Sequence, residues 1–227
     1  NALNSITLDD GINGSNPDNV IYPTGGLSAD NTLRMGDSVD NLEGVVDYSF
    51  GKYRIIPTQE PSFTDTNART AEPEIATGNL RIASFNVLNY FNGDGIGGGF
   101  PTSRGADTAE EFERQRNKVI SAISTIEADI IGLLEMENDG FGEQSAIQDL
   151  VNGLNAVAPA GVHYSFVNPH IAADAETGIE LLGGDSIKVA MIYNDLAVTE
   201  FGTTAYLTGF PFEYHNRPPM AQTFRAT

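Results

Sequence analysis

Asn86 and Glu135 are the two residues whose chemical types and surroundings point most directly to a functional site. Asn86 lies in the apolar run LRIASFNVLNYF (80–91), and Glu135 lies near the end of a second apolar run, DIIGLLEMEN (129–138). A buried amide needs hydrogen-bond partners, and burying an unpaired carboxylate is costly. A shared cation would satisfy both groups, and oxygen ligands suit Mg²⁺ or Ca²⁺. The alternative is that both residues lie at a solvated rim, and their spacing favours neither arrangement.

A helical pattern separates the two apolar runs. Apolar residues recur at helical spacing over 108–128, and Thr108 with Glu111 fits a capping box at its start. The sequence therefore predicts a strand, a helix and a second strand. Two strands joined by a helix are expected to be parallel neighbours in one sheet. That arrangement would bring Asn86 and Glu135 close together.

The pattern beyond these runs predicts further strands and a second helix. The helix is expected over about 143–157, followed by a short strand at 163–168 and a buried strand at 186–194. The segment 196–202 is predicted to be the hairpin partner of that buried strand. A last strand follows two prolines within 216–227.

The first part of the chain has a different character. Residues 1–57 show short strands and frequent turns with no helical period, which predicts an all-β module. Residues 58–78 contain Pro61, Pro73 and many Thr and Glu residues and show no period, so we predict a linker and domain boundary there. Asp9, Asp10 and Asp18 share one loop that lacks the order of a Ca²⁺-binding loop, which favours a solvated turn over a Ca²⁺ site.

A glycine-rich loop over 92–107 follows the first strand of the second part. Loops of this length are often functional. The loop lacks the GxxxxGK[ST] sequence of a P-loop and the spacing of a dinucleotide-binding turn. Arg104 within it is a candidate substrate-binding residue that would contact a phosphate, and an exposed arginine without a ligand is the alternative.

The composition excludes several kinds of site. The chain has no cysteine, which rules out disulfides, thiolate metal sites and cysteine nucleophiles, and its three histidines lack zinc-site spacing. Its net charge of −19 opposes tight electrostatic binding of bare nucleic acid. An acidic soluble surface explains that charge, and a bound divalent cation that offsets part of it is the alternative. No apolar run has membrane-spanning length, and the absence of a leader sequence predicts a processed or excised product.

Four motifs resemble those of one known family, and they occur in the family's order. They are SFNVLNYF (84–91), DIIGLLEMEN (129–138), GGDSIKVAMIYN (183–194) and NRPPMAQTF (216–224). Together they resemble the endonuclease/exonuclease/phosphatase superfamily, which has the DNase I-like fold. Within it, the chain is most similar to the large secreted bacterial extracellular nucleases. The resemblance covers about 80–227.

The resemblance implies an α+β fold and a phosphodiesterase. Residues 79–227 would form part of a DNase I-like α/β sandwich of two sheets flanked by helices. Residues 1–57 resemble the C-terminal part of an OB-like β module that precedes this domain in those nucleases. The implied protein is extracellular and bacterial, uses Mg²⁺ or Mn²⁺, with Ca²⁺ as a further possibility, and degrades DNA. Alternatives are a phosphoesterase of the same fold acting on phospholipid or inositol phosphate, and a non-catalytic Ca²⁺-binding secreted module.

Individual residues receive roles through the same resemblance. Asn86 and Glu135 match the family's first two metal-site positions, so they would be both catalytic and metal-binding. Asp185 would lie behind the ligands or on the substrate side. Arg217 matches a recurring family arginine, with phosphate contact and structural pairing as equal alternatives.

The chain also departs from the family pattern. It contains neither the GDxN segment nor the later Asp–His segment, so we expect an N-terminal part of the domain that is inactive alone. A half sandwich would leave an apolar sheet face open. We therefore expect a missing C-terminal half, another chain or a dimer partner to complete the fold.

Overall fold

A computed structural model of the chain describes most of the sequence. The described residues are 4–14, 20–28, 30–71, 74, 77–93, 99–212 and 216–227. The chain divides into two compact units, Asn1–Ala71 and Glu72–Thr227. Asp18 and His215 lie outside the described residues, so the predicted Asp9–Asp10–Asp18 loop is described only in part.

The first unit is built from short strands. They are β1 (Thr7–Leu8), β2 (Ser38–Val39), β3 (Gly44–Ser49), β4 (Lys52–Pro57) and β5 (Phe63–Thr64). Strands β1, β4 and β3 form one sheet in that order, and β2 pairs with β5. The described residues of this unit contain no α-helix, as the sequence predicts. Asp9 forms an ion pair with Arg54 and accepts a hydrogen bond from the N–H of Gly11. Its carboxylate therefore has partners in the structure without a cation.

The domain boundary lies inside the predicted linker 58–78, but the first part of that segment is not a linker. Strand β5 pairs with β2, and the Asp37 carboxylate accepts hydrogen bonds from the backbone N–H groups of Thr66 (3.1 Å) and Asn67 (3.3 Å). These contacts join distant parts of the chain, so local composition does not reveal them. The unit therefore extends to Ala71.

The second unit is mixed α/β, and its first two long strands are parallel as predicted. Its elements are β6 (Ile82–Tyr90), α1 (Ala109–Ile126), β7 (Ile130–Glu137), α2 (Ala146–Val157), β8 (Tyr164–Phe166), β9 (Ile187–Asn194), β10 (Val198–Tyr206) and β11 (Met220–Ala226). Four strands form one sheet in the order β6-β7-β9-β8, with β6 parallel to β7. Neither helix found in the described part of the chain is long and apolar enough to cross a bilayer.

The predicted hairpin between β9 and the segment 196–202 is wrong. Strand β10 pairs instead with β11, with Val198 opposite Ala226. A hairpin would use the C-terminal end of β9, and both edges are occupied there, because β7 pairs on one side and β8 pairs with Ile192–Asn194 on the other. Strand β10 therefore does not pair with β9 and belongs to a separate two-stranded sheet.

The core lies between the two helices and one face of the four-stranded sheet. Alternate strand residues point to this face, as the two-residue period of a strand requires. The buried side chains include Val119, Ile120 and Ile123 of α1, Ile147, Leu150 and Leu154 of α2, and Ile131, Leu133, Ala190 and Ile192 of the sheet. The opposite face is partly open: Ile82 is 70% exposed and Leu134 is 41% exposed.

Both helices begin at side-chain caps. The Thr108 hydroxyl accepts a hydrogen bond from the N–H of Glu111 at 3.2 Å, as the predicted capping box requires. The Glu111 carboxylate bonds the N–H of Asp107 at 2.8 Å, one residue before the cap. Ser145 caps α2 through the N–H of Gln148. Both helix starts are therefore fixed next to the loops that precede them.

Candidate active site

Two backbone irregularities place Asn86 and Glu135. The β6–β7 register shifts between Asn86 and Tyr90, and the β7–β9 register shifts between Leu133 and Met136. Glu135 lies in the second irregularity with φ +64°. A bulge re-aims the side chain it carries, and non-glycine residues with positive φ cluster at functional sites.

The structure brings the amide and the carboxylate into contact. The Asn86 Nδ2 donates to Glu135 Oε1 at 2.9 Å, and the backbone N–H of Asn89 donates to Glu135 Oε2 at 3.2 Å. The Asn86 Oδ1 accepts from the N–H of Leu88 at 2.7 Å. Asn86 therefore presents its NH₂ group, not its oxygen, to the carboxylate. Its principal role in this arrangement is to orient Glu135.

The donor set fits a hard divalent cation that keeps several water ligands. Glu135 is half-buried and Asn86 is exposed, so the pair is accessible from solvent. The Asn89 Oδ1 is buried and has no hydrogen-bond partner. Mg²⁺ is usually bound through one or two carboxylates plus water. A cation at this pair would bind the Glu135 carboxylate, and across the described residues no group of three His, Cys, Asp or Glu side chains is placed to bind a metal.

Arg104, Asp185 and Arg217 form a single cluster, which we call the arginine cluster. Arg104 Nη1 lies 2.8 Å from Asp185 Oδ1, and Arg217 Nε lies 3.3 Å from Asp185 Oδ2. All three side chains are between 36% and 41% exposed. Two guanidinium groups share one carboxylate, so the cluster keeps a net positive charge that faces solvent. Both arginines are paired, and their remaining N–H donors suit a phosphate.

Asn138 positions the loop that carries Asp185. Its Nδ2 lies 2.9 Å from the carbonyl oxygen of Asp185 and 3.1 Å from that of Gly183, and its Oδ1 accepts from the N–H of Leu182 at 3.0 Å. The Asn138 residue is only 9% exposed. Sequence reasoning missed this role, although the polar residue at the end of an apolar strand was a signal for it.

A cavity of about 200 Å³ lies at the same edge of the sheet as Glu135. Glu137, Asp139, Ser103 and Ser186 supply polar groups to its lining. Glu137 is two residues beyond Glu135 and pairs in register with Ile187 of β9. Ser103 and Ser186 are chain neighbours of Arg104 and Asp185. The Asn86–Glu135 pair, the cavity and Asp185 of the arginine cluster therefore all lie at the carboxyl ends of β6 and β7 and at the start of β9.

A buried ion pair holds the segment between β7 and α2 next to this edge. Lys188 Nζ lies 3.3 Å from Asp139 Oδ1, donates to the carbonyl of Gly140 at 2.6 Å and lies 4.5 Å from the Phe141 ring centroid. Asp139 also bonds the N–H of Ala146 at the start of α2. Burial raises the pKa of Asp139 and lowers the pKa of Lys188, and the ion pair opposes both shifts. No local sequence pattern predicts this pair, because the two residues are 49 positions apart.

The comparisons with known proteins concern mainly the first unit. Residues 1–68 match the model of a family described as Domain of unknown function (DUF8508). The match ends three residues before the structural boundary at Ala71. A comparison with curated proteins found no match. The candidate site lies beyond the matched residues, so its function is argued from its geometry and chemistry.

His163 does not join the candidate site. His163 Nδ1 lies 2.8 Å from Asp195 Oδ2, which gives a His–Asp pair. Asp195 follows the end of β9, where Tyr193 pairs with Ile130 at the start of β7. Glu135 is five residues further along β7, roughly 16 Å away along the strand. The His–Asp pair therefore lies at the opposite edge of the sheet.

Proposed function

We propose that the second unit is the metal- and phosphate-binding part of a divalent-metal phosphodiesterase that acts on extracellular DNA. The observation that supports this most strongly is the Asn86–Glu135 contact, made on two bulges at the edge that also carries the arginine cluster. A carboxylate, an amide and two arginines are among the groups that metal-assisted phosphodiester sites use to bind metal and phosphate. Assignment to an extracellular nuclease rests on the motif resemblance.

Each residue of the proposed site has a separate role. A bound Mg²⁺ or Mn²⁺ would polarise the phosphate and stabilise the charge that develops during hydrolysis. Glu135 would hold that cation, while Asn86 and the N–H of Asn89 fix the carboxylate. Arg104 and Arg217 would bind and orient the phosphodiester. Asp185 keeps the two guanidinium groups together, because its carboxylate contacts both.

A DNase I-like sandwich is the proposed fold of the second unit. Both helices cover one face of the four-stranded sheet, and on the other face the Phe224 ring of β11 contacts Tyr193. Ile82 and Leu134 stay exposed there. We infer that further polypeptide covers this face, either from a longer chain or from a second copy. The first unit would then be an OB-like module that holds a single strand or acts as a spacer.

The open face leads to a prediction about association. Because exposed apolar surface favours association, the 227-residue chain is expected to form dimers or larger species at micromolar concentration. Light scattering measures this directly. A folded, strictly monomeric species of 24.3 kDa would contradict the inference that this face needs a cover.

Metal-dependent binding of a DNA oligonucleotide tests the proposed function. Fluorescence anisotropy is expected to show binding in Mg²⁺ or Mn²⁺ that is lost in a chelator, because the acidic chain repels bare DNA. The Arg104→Ala/Arg217→Ala protein should bind about 10-fold more weakly or worse, since charge-assisted contacts to phosphate are lost. Arg114→Ala is the matched control, because this exposed arginine pairs with Glu111 on α1. DNA binding that depends neither on the metal nor on the arginine cluster would contradict the proposal.

Turnover itself is expected to be near background for this chain. His163 is paired with Asp195 at the opposite edge of the sheet, so it cannot activate water at the candidate site. A plasmid-nicking assay with Mg²⁺ and Mn²⁺ measures this. Robust nicking by the pure 227-residue protein would show that the chain contains its own general base.

Two other functions predict different results. A phosphoesterase of the same fold would bind inositol phosphates or phospholipid head groups in preference to DNA, and competition in the anisotropy assay would detect this. A Ca²⁺-binding structural module would fold only with Ca²⁺ and would be insensitive to Glu135→Ala. The half-exposed arginine cluster favours an anionic substrate over a purely structural cation.

A further inference from the structure

The backbone beside the candidate metal site has an unusual conformation. Leu88 and Asn89 have φ values of +58° and +49°, a region that residues with a Cβ rarely occupy. Two such residues in succession persist only where neighbouring groups hold them. The site side chains bond to this segment, so the residue that holds the segment also influences the site.

Gln115 of α1 holds this segment from its carbonyl side. Its Nε2 lies 2.9 Å from the carbonyl oxygen of Val87, 2.6 Å from that of Leu88 and 3.5 Å from that of Asn89. Three successive carbonyls therefore converge on one side-chain amide. Gln115 is half-buried, on a helix whose neighbouring turns supply core residues.

The same peptide groups connect Gln115 to the site on their amide side. The peptide between Val87 and Leu88 accepts from Gln115 through its carbonyl and donates to Asn86 Oδ1 through its N–H. The next peptide, between Leu88 and Asn89, accepts from Gln115 and donates to Glu135 Oε2. Hydrogen bonds arranged in a chain polarise one another. Two such chains run from Gln115, one to each residue of the Asn86–Glu135 pair.

We propose that Gln115 is a positioning residue that sets the orientation of the Asn86–Glu135 pair and thereby its affinity for a divalent cation. This inference rests on the proposed function of that pair. Gln115 bonds to backbone carbonyls and acts on the pair through two peptide groups. Residues that orient metal ligands in this indirect way typically change metal affinity about 10- to 100-fold when they are replaced.

The test is Gln115→Met, which keeps the length of the side chain and removes its donor. Calorimetric titration with Mn²⁺ is expected to show about 10-fold weaker binding than the wild type. Hydrogen exchange at the Leu88 and Asn89 amides should accelerate, while exchange at Leu133 in the sheet core stays unchanged. Gln148→Met is the matched control. Gln148 is a half-buried helix glutamine whose Nε2 bonds Asn152, and its loss should leave Mn²⁺ affinity unchanged.

The outcomes separate this inference from the function on which it rests. Wild-type protein that binds no Mn²⁺ overturns the proposed function and this inference with it. Wild-type binding that is unchanged in a folded Gln115→Met protein overturns this inference alone. If Gln115→Met does not fold, a Mg²⁺ titration of the wild-type protein by NMR tests this inference instead. The Gln115 side-chain amide should shift together with the Leu88 and Asn89 amides, and a Gln115 amide that stays fixed while Glu135 shifts overturns the inference.

Discussion

Replacing Glu135 with glutamine is expected to weaken Mn²⁺ binding at least about 100-fold, which corresponds to about 2.8 kcal/mol. Glu135 is the one formally charged member of the pair, and a hard cation depends on that charge. Glutamine has the same shape, so the fold is expected to survive. The change loses one of the two hydrogen bonds to the carboxylate, which should lower the free energy of unfolding by about 1 kcal/mol. Calorimetric titration with Mn²⁺ measures the affinity.

Glu127→Gln is a closely matched control for this change. Glu127 also has a left-handed backbone conformation, with φ +51°, and its carboxylate also has a partner, Arg81 at 2.8 Å. It lies outside the candidate site and is well exposed. Its replacement should leave Mn²⁺ affinity unchanged and cost at most about 1 kcal/mol. Equal Mn²⁺ affinity in the Glu135→Gln protein and the Glu127→Gln control would show that Glu135 does not bind the metal.

Lys188→Ala is expected to destabilise the second unit by about 3–5 kcal/mol. The lysine side chain is fully buried, and its removal leaves the 1%-exposed Asp139 side chain without its counter-ion. The Gly140 carbonyl also loses a bond, and the volume of the lysine stem becomes a cavity. Urea denaturation followed by circular dichroism measures the loss. Lys118→Met, at an exposed position on α1, should change stability by less than about 0.5 kcal/mol.

A double mutant distinguishes a paired charge from simple loss of packing. Lys188→Met keeps most of the apolar volume but leaves the buried Asp139 without a counter-ion. Lys188→Met/Asp139→Asn removes both charges. The double mutant is expected to lose less stability than the sum of the two single changes, because each single change leaves one buried charge unpaired. Strictly additive losses would mean that the two side chains do not interact as the structure shows.

The sequence predicts the framework of the candidate site because the deciding signals are local. The capping residue Thr108 and the apolar period of α1 define a crossover helix, and a helix between two strands implies parallel pairing. That pairing places Asn86 opposite Leu134, and the irregularity at Glu135 then turns the next side chain toward Asn86. The two polar residues interrupt otherwise apolar runs, which made them visible in the sequence.

The rest of the site depends on contacts between distant parts of the chain. Gln115 appears in the sequence as an ordinary polar helix residue, and Asn138 as an ordinary strand-end residue. Their roles appear only when the β6 bulge and the Asp185 loop are in place. The failed hairpin has a similar cause: whether β9 has a free edge depends on the order of the whole sheet. Leu88 and Glu135 have positive φ, and because neither is a glycine, the sequence does not signal this conformation.

Anomalous diffraction from Mn²⁺-soaked crystals of the wild-type chain shows whether the Asn86–Glu135 pair binds a divalent cation. We expect an anomalous peak between about 2.0 and 2.6 Å from a Glu135 carboxylate oxygen, next to Asn86 and absent from Glu135→Gln crystals. A Mn²⁺ ion bound elsewhere in the chain, with the Asn86–Glu135 pair free of metal at saturating Mn²⁺, would contradict it.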